Sequence, residues 1–221
     1  MYLYLVAIFS PHVSAATVTA VERGRLGLKA FYDLVFRRIS ATWILIAITV
    51  PVIIYLLPYL SAIATGQAHG SPVHPPPRTL PMLILGQLAV AIGEEPGWRG
   101  FALPRLTQHL GPLAGTLALG IAWVLWHLPL FVMPGSAQYG TAFTPFLLTL
   151  LAWSLVVTFM MTRAGGSVLV AMLFHFSANV CDFTMWQAAL WQWNVAPWLV
   201  AAVLAVILIR NSRFATTSQR G

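Results

Sequence analysis

LPMLILGQLAVAIGEEPGWRG, residues 80–100, carries an apolar run straight into Glu94, Glu95 and Arg99. In lipid, backbone polar groups must be satisfied within the segment, so a run of this kind reads as a spanning helix. Ionisable groups near the bilayer centre cost about 2.5–3.5 kcal/mol each by insertion scales and mark function. The helix is expected to continue past Arg99. Glu95 and Arg99 are then four apart on one face, with the acid N-terminal, the favourable order for a pair. Glu94 points roughly 100° away and keeps its carboxylate for other work. Pro96 removes a backbone donor and predicts a kink, which is tolerated where backbone lines a watery cavity.

The rest of the chain has the same character. Of 221 residues, 8% are charged and 59% hydrophobic, whereas a soluble domain carries about 25% charged residues. Lipid is therefore the expected solvent. Seven stretches have the length and composition of spanning helices, roughly 1–20, 41–63, 80–95, 111–132, 145–162, 166–183 and 196–210, given that about 20 apolar residues cross a bilayer. The expected fold is all-α, a polytopic transmembrane bundle forming one integral membrane domain over 1–221. Residues 21–39 predict a short interfacial amphipathic helix with Leu26, Leu28, Phe31, Leu34 and Val35 on one side, and residues 64–79 an irregular loop containing His69 and His74. The net charge of +7 is spread over short loops with no Lys/Arg-rich run, so nucleic acid is not an expected partner. Cys181 is the single cysteine, which excludes an internal disulfide.

Lys and Arg are retained on the cytoplasmic side of membranes. Placing loop 21–39 inside puts eleven of the twelve basic residues inside, all but Arg78, with the C-terminus cytoplasmic. Trp186, Trp191, Trp193 and Trp198 then fall at the outer interface, where amphipathic rings sit. Met1 is left outside, with no cleavable signal, and this awkward start predicts a helix upstream of residue 1.

Two further polar clusters lie on other stretches. Trp123 and His127 share one face, one turn apart, and so do His175 and Asn179. Taken alone, an intramembrane His is as readily a structural partner between helices, and a packing salt bridge is the lesser reading of an acidic pair with an Arg. Trp123 reads as wall, and His12, His69, His74 and His109 fall at ends or loops without a role. Acid, two imidazoles and an amide on three helices together point to chemistry. A carboxylate with an imidazole activates water, and a second His with Asn offers donors to an oxygen gaining charge. The alternative use is a divalent metal such as zinc, held by Glu94, His127 and His175 with a position left for water. The zinc signature H-E-x-x-H is absent, Asp33 and Asp182 lie near segment ends, and neither Ser167 nor Ser177 sits in a nucleophile elbow.

The three clusters resemble the CAAX protease and bacteriocin-processing family, also called CPBP or Abi. Its E-E-x-x-x-R motif is matched by Glu94 to Arg99, its F-x-x-x-H by Trp123 to His127 with Trp for Phe, and its H-x-x-x-N by His175 to Asn179. The resemblance implies an intramembrane endopeptidase with a CPBP-like core at about 80–183, acting on a membrane-embedded or membrane-associated protein or peptide from within the plasma membrane. By the same resemblance Glu94 with His127 activates water, His175 with Asn179 steadies the oxyanion, and Glu95 with Arg99 holds the first helix. The family core has eight helices, one more than the seven stretches here. The family is described both as metalloprotease and as metal-free glutamate protease. Two other classes fit the polar groups: a small proton- or ion-coupled transporter, and a non-catalytic bacteriocin-immunity or peptide-binding protein.

Overall fold

The structure, a computed structural model, describes residues 2–66, 78–185 and 191–211. Among the described residues nine α-helices follow one another: α1 (Tyr2–Val35), α2 (Ala41–Ala64), α3 (Leu80–Glu95), α4 (Leu103–Leu110), α5 (Pro112–Trp126), α6 (Leu128–Val132), α7 (Phe143–Arg163), α8 (Val168–Met185) and α9 (Trp191–Asn211). Between α3 and α4 the chain stays wound as a π-helical segment, Pro96–Ala102. Among the described residues there is no strand. The chain is a multi-pass helical membrane protein, with α2, α5–α6 and α7 each long and apolar enough to span. Residues 67–77, which include His69 and His74, lie outside the described part, as does Trp186.

The first helix is in two parts, as the separate stretches 1–20 and 21–39 predict. Gly24 takes φ 62 and ψ −157 inside α1. A straight helix would put His12 and Tyr32 roughly 30 Å apart, yet their ring centroids are 5.8 Å apart. The helix therefore folds back on itself, an apolar limb before Gly24 and a basic limb after it. That second limb is the predicted amphipathic helix, with one correction. Phe31 and Val35 are buried and Leu28 and Leu34 pack beside them, but Leu26 is 82% exposed. The face turns because the buried side follows Phe31 and Val35, which are four apart, onto Gly100 of the π-helical segment.

The stretch 111–132 is likewise two helices, α5 and α6. Pro129 has no N–H for the Leu125 carbonyl, and the His127 N–H turns instead to Val124 O at 3.0 Å. His127 thus caps a helix at a break rather than sitting in its middle.

α8 packs on α2 and α3, α7 on α5 and α9, and α1 on α3 and the π-helical segment. The approach of α1 is very close: a Cβ added at Gly93 would lie 2.6 Å from Ile8 Cγ2, and one at Gly97 would lie 2.4 Å from the Pro11 carbonyl. Small residues that let backbones touch are the usual means of helix packing in lipid. At one end of the bundle, Ser167 Oγ donates to the Arg37 carbonyl at 2.8 Å, Arg37 reaches the Gly165 carbonyl, and Arg105 pairs with Glu22 at 2.9 Å. The basic stretches expected on one side of the membrane are therefore tied together. Trp198, expected at the outer interface, is fully buried against Tyr55, Trp153 and Phe174. Its ring packs between α2, α7, α8 and α9.

Candidate active site

Glu94 and Glu95 close α3, and the π-helical segment follows at once. Pro96 cannot continue the α-helical hydrogen-bond ladder, and the Leu103 N–H bonds to Trp98 O five residues back. Single-turn widenings of this kind occur at functional sites. Glu94, Glu95 and Arg99 are 3%, 1% and 1% exposed, and His175 is 4%.

Glu95 and Arg99 form the expected pair, with Arg99 Nη1 donating to Glu95 Oε1 at 3.0 Å. The same oxygen meets His175 Nδ1 at 2.7 Å. Sequence reasoning grouped His175 with Asn179; it did not foresee that Glu95 would be its carboxylate partner, because that contact depends on how α8 is rotated against α3. A carboxylate on one ring nitrogen fixes the orientation of the imidazole and turns Nε2 outward. Arg99 Nη2 also reaches Ser154 Oγ on α7 at 3.5 Å, and its guanidinium lies 4.0 Å from the Trp123 ring centroid, a cation–π contact.

Trp123 is more than wall. Its indole N–H donates to Glu94 Oε2 at 2.9 Å, which leaves Glu94 Oε1 as the other oxygen. The rings of His127 and His175 both stand edge-on to this indole, at 5.5 and 5.4 Å between centroids. The helix breaks at His127, between α5 and α6, and its ring stays beside that of Trp123. His127 Nδ1 lies 2.7 Å from the Trp123 carbonyl. A carbonyl only accepts, so Nδ1 carries the proton and Nε2 presents a lone pair.

Asn179 lies one turn beyond His175 on α8, and its Nδ2 donates to Gln87 Oε1 on α3 at 2.9 Å. Gln87 sits seven residues before Glu94, so a polar residue two turns up the same helix face was the signal available in sequence. His12, given no role above, places Nδ1 3.0 Å from the Ile92 carbonyl. Asp33 pairs with Lys29 at the exposed limb of α1, and Asp182 accepts from Tyr55 Oη at 3.0 Å. Neither aspartate joins this cluster.

The metal set Glu94, His127 and His175 is not gathered. Among the described residues no group of three or more His, Cys, Asp or Glu is disposed to hold an ion. His175 Nδ1 is engaged by Glu95, His127 Nδ1 by a carbonyl and Glu94 Oε2 by an indole. These contacts leave Nε2 of both imidazoles and Oε1 of Glu94 as the remaining donors.

Comparison with known proteins agrees with the motifs. Residues 76–181 match a family described as type II CAAX prenyl endopeptidase, Rce1-like. CAAX prenyl protease 2 of Methanococcus maripaludis is 33% identical over 107 residues, which is 46% of this chain and 39% of that protein. The matched region thus spans about two-fifths of the curated relative's length. The resemblance to the CPBP family is borne out over this region, which holds all three motifs.

Proposed function

Because residues 76–181 are similar to type II CAAX prenyl endopeptidases, we propose that this chain is an intramembrane endopeptidase. In this reading it cleaves a membrane-associated protein or peptide near a prenylated C-terminal Cys-a-a-X sequence. It acts as a single integral membrane domain with its CPBP-like core at about 80–183, sits in the plasma membrane and keeps its C-terminus cytoplasmic.

The observation that carries this reading is the junction at Trp123, where one buried carboxylate and two imidazoles meet a single indole. Glu94 Oε1 and His127 Nε2 hold one water between them. The water oxygen adds to the scissile carbonyl carbon as its proton passes to Glu94. The carbonyl oxygen takes up the negative charge and meets donors from His175 Nε2 and the Asn179 amide. Nε2 donates when His175 carries both ring protons, since Nδ1–H is engaged by Glu95. Collapse of the tetrahedral adduct breaks the C–N bond, and the Glu94 carboxyl returns its proton to the leaving amine. Glu95, Arg99 and Trp123 support this set without touching substrate.

The test uses the purified chain in nanodiscs with a fluorogenic farnesylated CAAX peptide and its unprenylated twin. Wild type should cleave the farnesylated peptide, and Glu94→Gln should be slower by about a hundredfold or more with unchanged thermal unfolding. Equal rates for the two proteins, or no cleavage by wild type, would sink the proposal. Equal cleavage of both peptides would remove the prenyl group from it.

A further inference from the structure

We infer that His12 is a positioning residue for the acidic turn, replacing from a neighbouring helix the hydrogen bond that Pro96 cannot make. This rests on the proposed role of Glu94.

In an α-helix the N–H of residue 96 would bond the carbonyl of residue 92. Proline has no N–H. The imidazole of His12, on the apolar limb of α1, lies with Nδ1 3.0 Å from that same Ile92 carbonyl. A carbonyl only accepts, so His12 Nδ1–H donates. The contact spans 80 residues of sequence. α1 repeats the device locally: Pro11 leaves the Ala7 carbonyl without its helical donor, and Ser10 Oγ donates to it at 2.8 Å.

Placement gives the bond its consequence. Ile92 is two residues before Glu94, and the π-helical segment begins two residues after it. The carbonyl that His12 holds therefore belongs to the last regular turn before the widened one. Around it, α1 lies against Gly93 and Gly97 with no room for a side chain. The His12 ring is fixed in turn by Tyr32 and Phe31, at 5.8 and 6.3 Å between centroids, from the returning limb beyond Gly24. The fold-back of α1 thus sets an imidazole, and the imidazole sets the turn that aims Glu94 and Glu95.

Three substitutions separate this role from mere bulk, read by turnover of the farnesylated CAAX peptide in nanodiscs. His12→Asn puts an amide nitrogen where Nδ1 stands and should hold kcat within about threefold of wild type. His12→Gln puts it one bond too far, and His12→Leu offers none; both should lower kcat about tenfold or more with KM within about twofold. In a Pro96→Ala background, where residue 96 regains its N–H, the loss from His12→Leu should shrink to about twofold. Equal kcat for the Asn and Gln proteins, the same loss in both backgrounds, or an inactive Pro96→Ala chain overturns the inference. Should His12→Leu not fold, the Asn and Gln comparison decides. Glu94→Gln is run beside them: full activity there refutes the role of Glu94 itself, whereas an inactive Glu94→Gln with an unaffected His12→Gln refutes only the role of His12.

Discussion

Trp123 donates its indole N–H to Glu94 Oε2 across 2.9 Å, joining α5 to the last turn of α3. The aromatic position of the F-x-x-x-H motif therefore carries a donor here that phenylalanine lacks. Trp123→Phe keeps the ring under the Arg99 guanidinium and removes the hydrogen bond. A hydrogen bond to a charged group is worth about 1.5–3 kcal/mol, so kcat for the CAAX peptide should fall about tenfold or more. An unchanged kcat would mean that Glu94 is held by other contacts.

Glu95 Oε1 serves Arg99 and His175 at once. Breaking a buried ion pair by removing one partner costs about 3–5 kcal/mol. Arg99→Met should therefore lower the thermal unfolding temperature in detergent by several degrees. Adding Glu95→Gln should recover much of that loss, because Glu95 no longer carries a charge without its partner, while activity stays low for want of the carboxylate at His175. Recovery of activity together with stability would show that His175 does not depend on Glu95.

Gln87 Oε1 accepts from Asn179 Nδ2 and so fixes the orientation of that amide, whose second N–H remains as a donor. Gln87→Glu keeps an acceptor and should leave kcat within about threefold, whereas Gln87→Leu should lower it about fivefold or more. Combining Gln87→Leu with Asn179→Ala should add little to Asn179→Ala alone, the signature of two residues acting through one contact. Additive losses would separate them.

No set of three metal-binding side chains is gathered among the described residues. Dialysis against a strong chelator should therefore change the cleavage rate by less than about twofold, against losses of orders of magnitude where a metal activates the water. A large loss restored by zinc would assign the site to a metal after all.

How much of this could be read from the chain depends on whether a contact is local or between helices. Glu95 and Arg99 pair as an i,i+4 spacing requires, and that geometry needs no partner helix. The helical stretches follow from apolar runs, because lipid leaves the backbone few other options. The partner of His175, the clamp on Glu94, and the roles of Gln87, Ser154 and His12 all depend on how one helix is turned against another, which a periodicity does not specify. Local breakers decide the finer departures. Pro96 widens the acidic turn, and Pro129 frees His127 from mid-helix. The ring partners of Trp198, Tyr55 and Phe174, are likewise set by how helices are turned against one another.

The contact of Gly93 and Gly97 with the backbone of Ile8 and Pro11 seals one flank of the acidic turn. Two main chains that near each other leave no crevice through which an acyl tail or an extended peptide could slip sideways. In the proposed function, a substrate would then reach Glu94 from a side other than this one.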